Sequence, residues 1–174
     1  SHIPATGRVV IIANHPIGSL DGLALLRLVG EVRRDVLIIA NDMLCQFQPL
    51  QNLILPVDNM TGGNVMRTYR RVLEELEQER AIVVFPAGEV SRAGPSGVKD
   101  GPWRPGFLHF ARKTKAPVLP IHVKARNSLL FYGASLLFKP MSTLLLSNEM
   151  FKHQTKVIHF NVGKLIPVQH LQST

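Results

Sequence analysis

The chain has 174 residues, of which 45% are hydrophobic and 18% are charged, which excludes a disordered chain and suits one globular domain. Lysine and arginine outnumber aspartate and glutamate by 20 to 12, so anionic partners such as lipid headgroups, phosphorylated carriers or nucleic acids are favoured. The basic residues are scattered and only 6% of the chain is aromatic, which argues against a nucleic-acid-binding surface.

Cysteine content and apolar runs limit the cellular setting. Cys45 is the only cysteine, so an internal disulfide is excluded and a reducing compartment is favoured. No apolar run reaches the roughly 18 residues of a membrane-spanning helix. The nearest candidate, residues 129–146, is interrupted by Lys139 and Pro140, and predicts either buried core or an apolar surface lying against a bilayer. The chain opens at Ser1 without a signal peptide, so we expect residues 1–174 to be one domain of a longer protein.

Short apolar runs alternate with segments of helical periodicity along the chain. The predicted strands span residues 8–13, 36–40, 53–57, 81–85, 117–123 and 156–162. The predicted helices span residues 20–32, 41–48, 64–80 and 106–114. Pro49 should end the second helix, the charges of the third should form a solvated face, and residues 90–105 should form a long loop. This alternation predicts a single-domain α/β fold with a mostly parallel sheet flanked by helices, whose sites lie beyond the carboxyl ends of the strands.

A histidine and an aspartate stand at the first of these carboxyl ends. His15 follows the first strand almost directly, Asp21 comes six positions later, and Gly18 permits a sharp turn between them. The carboxylate could then hold one ring N–H and leave the other nitrogen free to take a proton from a hydroxyl or amine. Alternatively, Asp21 caps the following helix and His15 is a turn residue. The spacing alone leaves both interpretations open.

A second group of polar residues follows the fourth strand. Residues 85–92 read Phe-Pro-Ala-Gly-Glu-Val-Ser-Arg, in which Gly88 permits close backbone approach and Glu89, Ser91 and Arg92 offer charge and hydrogen bonds. An ordinary turn would also explain this segment. The sequence has no GxSxG, P-loop, GxGxxG or HExxH motif, and its seven histidines lack metal-ligand spacing, so no metal is predicted.

Together these two segments resemble the glycerolipid acyltransferase superfamily. Its first block, NHxxxxD, is similar to the segment containing Asn14, His15 and Asp21, although five residues rather than four separate the histidine from the aspartate here. The longer spacing resembles the hemolysin-like subgroup that is related to ornithine-lipid acyltransferases. The third block, FPEGTRS, is similar to residues 85–92, and the apolar block with prolines is similar to residues 116–121. The resemblance covers residues 8 to about 133.

The resemblance implies a glycerol-3-phosphate acyltransferase-like fold and transfer of a fatty acyl chain from acyl-CoA or acyl-carrier protein to the hydroxyl or amine of a lyso-lipid. His15 would be the general base and Asp21 its orienting partner, with no cofactor beyond the thioester co-substrate. Backbone N–H groups near Gly88 or in the first helical turn would stabilise the oxyanion. The residues expected to bind substrate are Asn14, Asp58, Pro86, Gly88, Glu89, Ser91, Arg92 and Arg126.

Two departures from the superfamily pattern bear on the acceptor. Glycerophosphate-accepting relatives have a glutamate where this chain has Ala87, and an arginine for the acceptor phosphate where this chain has Asp58. An aspartate repels a phosphate and attracts an ammonium group. We therefore expect an acceptor other than lysophosphatidic acid, such as a positively charged lyso-ornithine lipid. Alternatively, Asp58 caps the next helix.

The basic surplus suggests where such an enzyme works. Arg92, Arg104, Lys124 and Arg126 could face anionic headgroups or an acidic carrier protein, with residues 129–146 adding apolar contact. This predicts a peripheral protein on the cytoplasmic face of a membrane, with no nucleic-acid partner. Two other functions fit the same residues: a thioester hydrolase that uses water as acceptor, and a non-catalytic lipid-binding module.

Overall fold

The computed structural model describes residues 2–41, 48–57, 65–94, 97–125 and 157–171. The strands in these ranges are β1 (Val9–Ala13), β2 (Val36–Asn41), β3 (Ile54–Val57), β4 (Ala81–Val84), β5 (Arg92–Gly94), β6 (Gly97–Lys99), β7 (Val118–Lys124) and β8 (His159–Val162). The helices are α1 (Ser19–Gly30), α2 (Val65–Glu77) and α3 (Gly106–Thr114), with 3-10 helices at Gln48–Leu53 and Val168–His170.

Six of the described strands form one sheet in the order β3-β2-β4-β1-β7-β8, and β5 pairs with β6 in a separate hairpin. All pairings within the sheet are parallel except that of β7 with β8. Each residue of β1 is buried, as expected for a central strand of a parallel sheet covered on both faces. The sequence prediction of a mostly parallel α/β sheet is therefore confirmed, and the carboxyl ends of β1, β4 and β7 lie side by side.

Helices cover both faces of the sheet. Side chains of β1 alternate between the faces, so Val9 and Ile11 pack in the same buried cluster as Leu25 of α1. Val10 belongs to a second cluster with Leu76 of α2, together with the inner side of α3. The two buried clusters hold the sheet between the helices. The polar segments predicted from the sequence lie at the carboxyl edge of this sheet.

A buried arginine holds the opposite, amino edge together. Arg33 is 4% exposed. It donates to the carbonyl oxygens of Gly7 at 2.7 Å and Glu79 at 2.8 Å, and to both carboxylate oxygens of Asp35 at 2.7 and 2.6 Å. A guanidinium can be buried without a large penalty when its donors are paired in this way. This network ties together the segments that precede β1, β2 and β4.

Three local predictions need correction. The charges of α2 do not all form a solvated face: Glu75 is 1% exposed and pairs with Arg71 at 2.6 Å and Arg80 at 2.8 Å, which compensate its burial. Pro49 does not stop the helical conformation at Gln48 but lies within the 3-10 helix Gln48–Leu53, because an early helical position needs no N–H; residues 42–47 of the predicted helix lie outside the described residues. The predicted loop 90–105 contains the β5–β6 hairpin.

Some sequence predictions lie outside the described residues, namely those for Cys45, Asp58, Arg126 and residues 129–146. Among the helices that the structure does describe, none has the length and apolar character needed to cross a bilayer.

Candidate active site

The two polar segments meet at the carboxyl edge of the sheet because β1 and β4 are neighbours. The imidazole of His15, just beyond β1, stacks on the ring of Phe85, just beyond β4. The ring centroids are 4.1 Å apart and the planes differ by 24°. The His15 side chain is 18% exposed, and since its Nδ1 is buried, the exposed part belongs to the rest of the ring. The stacked phenylalanine thus restricts the imidazole and shields one of its faces from water.

The turn between His15 and Asp21 brings the carboxylate to the imidazole. His15 Nδ1 lies 3.2 Å from Asp21 Oδ2, and the Asp21 side chain is fully buried. The reversal depends on Gly18, whose backbone angles of φ 91° and ψ −141° are open only to glycine. A carboxylate beside Nδ1 favours the tautomer that has its proton there. In that tautomer Nε2 would be the nitrogen free to accept a proton, and the predicted role of His15 as a base stays a prediction.

Asp21 also caps α1, so the same carboxylate both contacts His15 and caps the helix. Its Oδ2 accepts the N–H of Ile17 at 2.8 Å and that of Gly18 at 3.1 Å. Burial raises the pKa of Asp21, while the contact with His15 and the two N–H bonds oppose that rise. Both N–H groups precede α1 and serve the carboxylate, so neither is directed at an oxyanion here, and the predicted oxyanion role of the first helical turn stays a prediction.

A second aspartate, which the sequence reasoning missed, holds the backbone of His15. Asp100 Oδ1 accepts the N–H of His15 at 3.2 Å and the hydroxyl of Ser91, while Oδ2 accepts the indole N–H of Trp103 at 3.0 Å. The N–H of Ser91 in turn donates to the His15 carbonyl oxygen at 2.8 Å. The residues on either side of the β5–β6 hairpin therefore hold both the N–H and the carbonyl oxygen of His15. The polar composition of the loop indicated a function, but no spacing rule links residue 100 to residue 15.

Asn14 joins the ends of β1 and β7. Its Nδ2 donates to the carbonyl oxygen of Val123 at 3.0 Å, and its Oδ1 accepts the N–H of Val123 at 2.7 Å. The side-chain amide thus continues the sheet where the backbone of β1 turns away towards His15. The sequence did not predict this structural role, and the predicted role of Asn14 in substrate binding stays a prediction.

The remaining residues that were predicted to bind substrate belong mainly to the second polar segment, residues 85–92. Pro86 is buried and its carbonyl oxygen accepts the N–H of Arg104 at 3.0 Å. The N–H of Gly88 donates to the carbonyl oxygen of Phe85 at 3.0 Å, so it is not directed at a substrate oxyanion here. Glu89 is exposed. Asp58, Arg126 and the side chain of Arg92 lie outside the described residues, so their roles stay predictions.

Two cavities open beside this edge and share Asn14, Trp103 and His122. The smaller has a volume of about 350 Å³ and is largely apolar, with walls from Ile12 and Pro120. The larger has a volume of about 860 Å³. Its other lining residues, half of them polar, are Pro16, Ser91, Lys99, Asp100, Gly101, Val123, Lys124 and Ala125. Within the described ranges, no group of three His, Cys, Asp or Glu residues is placed to hold a metal ion.

The arrangement suits acid–base chemistry on a bound hydroxyl rather than attack by a protein nucleophile. His15 has a buried carboxylate at Nδ1, as a general base requires. The nearby hydroxyl of Ser91 donates its proton to Asp100 instead of to the imidazole. The predicted role of His15 as a general base therefore fits this geometry and stays a prediction.

Solved and curated proteins resemble this chain over nearly its whole length. The 1-acyl-sn-glycerophosphate (LPA) acyltransferase PlsC from Thermotoga maritima matches with a TM-score of 0.57 and 18% identity, over 99% of this chain and 60% of that protein. This likeness shows a shared fold.

Two curated relatives are closer in sequence. A lyso-glycine lipid O-acyltransferase from Phocaeicola vulgatus is 31% identical over 99% of this chain, and one from Bacteroides thetaiotaomicron is 30% identical over 97%. The chain spans 64% of the length of each of them. A family model described as Acyltransferase matches residues 1–174. The chain therefore belongs to the acyltransferase family.

Proposed function

We propose that this protein transfers a fatty acyl chain from an acyl thioester to the hydroxyl of an amino-acid-containing lyso-lipid. Membership of the acyltransferase family and the names of the two curated relatives support the reaction class and the type of acceptor. The observation that carries the proposal is the 3.2 Å contact between His15 Nδ1 and the buried Asp21 Oδ2. This contact makes Nε2 a base at the carboxyl edge of the sheet.

The proposed reaction needs no covalent enzyme intermediate. His15 Nε2 takes the proton of the acceptor hydroxyl while its oxygen attacks the thioester carbonyl carbon. The tetrahedral intermediate collapses with cleavage of the C–S bond, and the imidazolium returns the proton to the leaving thiolate. The products are the O-acylated lipid and a free thiol. Asp21 stabilises the imidazolium between the two proton transfers, Phe85 stacks on the ring, and Asp100 holds the backbone of His15.

The relatives favour an amino-acid lipid over lysophosphatidic acid as acceptor. Both are lyso-glycine lipid O-acyltransferases, which supports the expectation of an acceptor without glycerophosphate. Glycine has no ionisable side chain, unlike ornithine. A glycine-type headgroup therefore does not require the carboxylate of Asp58 as a partner, and the positive charge expected on the acceptor stays a prediction.

We further propose acyl-CoA or acyl-carrier protein as donor and peripheral contact with the cytoplasmic face of a membrane. Exposed apolar side chains support the membrane contact: Trp103, which lines both cavities, is 45% exposed, and Val65 and Met66 at the start of α2 are 49% and 59% exposed. Aromatic and apolar groups beside basic ones are typical of interfacial surfaces. Arg67, which follows Met66 in the sequence, and Arg104, which follows Trp103, are also exposed and could meet anionic headgroups.

One assay separates this function from its rivals. Thiol release is followed from acyl-CoA and from acyl-carrier protein, with lyso-glycine lipid, lyso-ornithine lipid, lysophosphatidic acid or no acceptor. The proposal expects release that depends on an amino-acid lyso-lipid and is lost in His15→Ala. Free fatty acid formed without acceptor would instead indicate a thioester hydrolase. Lipid binding without any thiol release would indicate a non-catalytic lipid-binding module.

A further inference from the structure

We propose that the larger cavity is a binding site for an anionic group of a substrate, a carboxylate or a phosphate, held by Lys99 and Lys124. The identity of that substrate rests on the proposed acyl transfer, but the anion site itself does not. Lys99 ends β6 and Lys124 ends β7, and both line the cavity. Asn14 and Asp100, which accepts the backbone N–H of His15, line it too, so a bound anion would lie in the neighbourhood of the histidine, although His15 itself is not a lining residue.

The charge balance of the cavity is positive. Lys99 and Lys124 are exposed, and among the described residues neither has an ion-pair partner. The one carboxylate in the lining, Asp100, already accepts the N–H of His15, the hydroxyl of Ser91 and the indole N–H of Trp103. Two ammonium groups thus face a cavity whose single carboxylate is committed to the protein's own donors.

The shape of the site fits an amphipathic ligand. A volume of about 860 Å³ is in the range of small-molecule sites, and the neighbouring apolar cavity adds about 350 Å³. Trp103 lines both cavities, and its indole is fixed by Asp100 and by an edge-on contact with Phe107 at 6.5 Å between centroids. A ligand could place its acyl chain against the apolar side of this ring and its charged group beside the lysines.

Two substrates of the proposed reaction carry such an anion. The acceptor could supply the carboxylate of an amino-acid headgroup, and the donor could supply the phosphates of coenzyme A or of a carrier protein's phosphopantetheine arm. In either case the electrostatic preference of this cavity is opposite to the preference for an ammonium group expected from Asp58. The lysines therefore indicate that substrate recognition beside His15 depends on negative charge.

Binding can be measured without turnover because Trp103 is the only tryptophan in the chain. Its fluorescence is titrated with N-dodecanoylglycine and with the uncharged methyl ester, and with coenzyme A and phosphate-free pantetheine, while Trp103→Phe identifies the signal. We expect at least one anionic probe to bind more tightly than its neutral counterpart. Lys99→Gln and Lys124→Gln should each weaken that binding about two- to fivefold, and together about tenfold.

Matched variants test whether the positive charges of Lys99 and Lys124 are responsible for binding the anionic probe. Lys113→Gln removes an exposed lysine from the end of α3, at the opposite edge of the sheet, and should leave binding unchanged. Lys99→Arg and Lys124→Arg keep the charge and should retain most of the affinity. Equal binding of anionic and neutral probes, or full affinity in the double glutamine variant, would overturn the proposal whether or not the protein transfers acyl groups.

Kinetic measurements then identify the source of the anion. If the acceptor supplies it, the glutamine variants raise KM for the carboxylate acceptor but not for its methyl ester. If the donor supplies it, they raise KM for acyl-CoA or acyl-carrier protein but not for acyl-pantetheine. An equal rise in KM for charged and uncharged substrates of both kinds would show that the lysines do not recognise negative charge.

Discussion

Replacing Asp21 by asparagine separates the two tasks of this carboxylate. In Asp21→Asn the amide carbonyl should occupy the position of Oδ2, because the N–H groups of Ile17 and Gly18 both point there. The amide nitrogen then falls at the position of Oδ1, which is buried and has no hydrogen-bond partner among the described residues. The helix cap and the Nδ1–H tautomer of His15 are thereby kept, and only the negative charge is lost.

The size of the effect follows from the contact distance. Two unit charges 3.2 Å apart attract by about 5 kcal/mol at an effective dielectric constant of about 20. The amide carbonyl keeps part of this as a neutral hydrogen bond, which is roughly half as strong as a charge-assisted one. A loss of about 2–3 kcal/mol of imidazolium stabilisation corresponds to a decrease in kcat of about 30- to 150-fold.

The assay is thiol release under saturating donor and acceptor, measured together with urea unfolding. Asp21→Ala serves as the comparison, because it removes the cap as well as the charge and leaves two N–H groups unpaired, at about 1–3 kcal/mol each. We expect both variants to lose activity, but only the alanine variant to lose much stability. Activity of Asp21→Asn within tenfold of the wild type, or equal destabilisation of both variants, would refute this reasoning.

Further variants test the supports of the site and of the fold. Gly18→Ala should lower the free energy of unfolding by about 1–3 kcal/mol and also lower kcat, whereas Gly30→Ala, which meets no neighbour within 4 Å, should do neither. Phe85→Leu should lower kcat by about two- to tenfold through loss of the stacked ring, while Phe110→Leu, on the α3 side, should affect stability only. Arg33→Gln should lower the free energy of unfolding by at least about 3 kcal/mol in urea titrations without changing kcat of the folded protein. The hydrogen bond from Arg33 lowers the pKa of the Asp35 carboxyl. The stability that this pair contributes is therefore present near neutral pH and is lost as the pH falls through the folded-state pKa. Asp35→Asn should make the free energy of unfolding depend less steeply on pH in this acidic range.

The fold was largely predictable because its core elements follow simple rules. The central strands of a parallel sheet are short and apolar: β1 and β4 are apolar throughout, and β7 is apolar except for His122 and Lys124. The helix α3 begins and ends where its periodicity predicts. The errors occurred where tertiary pairing overrides local pattern. The burial of Glu75 depends on Arg80, which lies beyond the helix, and the pairing of β5 with β6 depends on a loop without periodicity.

The candidate site was predictable only where its residues are close in sequence. The approach of Asp21 to His15 follows from their spacing and from Gly18. The contact of His15 with Asp100 joins residues 85 positions apart, and it arises from the hairpin folding back over the sheet edge. The same is true of Asn14 and Val123, which are 109 positions apart. Such contacts depend on topology, which local residue patterns do not encode.

The central claim is that His15 activates the hydroxyl of a lyso-lipid for direct acyl transfer. The most direct measurement follows a labelled acyl chain from its thioester in a single turnover and locates it in the products by mass spectrometry. The wild-type protein should place the label on the acceptor oxygen with an equal amount of released thiol, and His15→Asn should form neither. Label in free fatty acid alone, or O-acylated lipid formed at an undiminished rate by His15→Asn, would contradict the account.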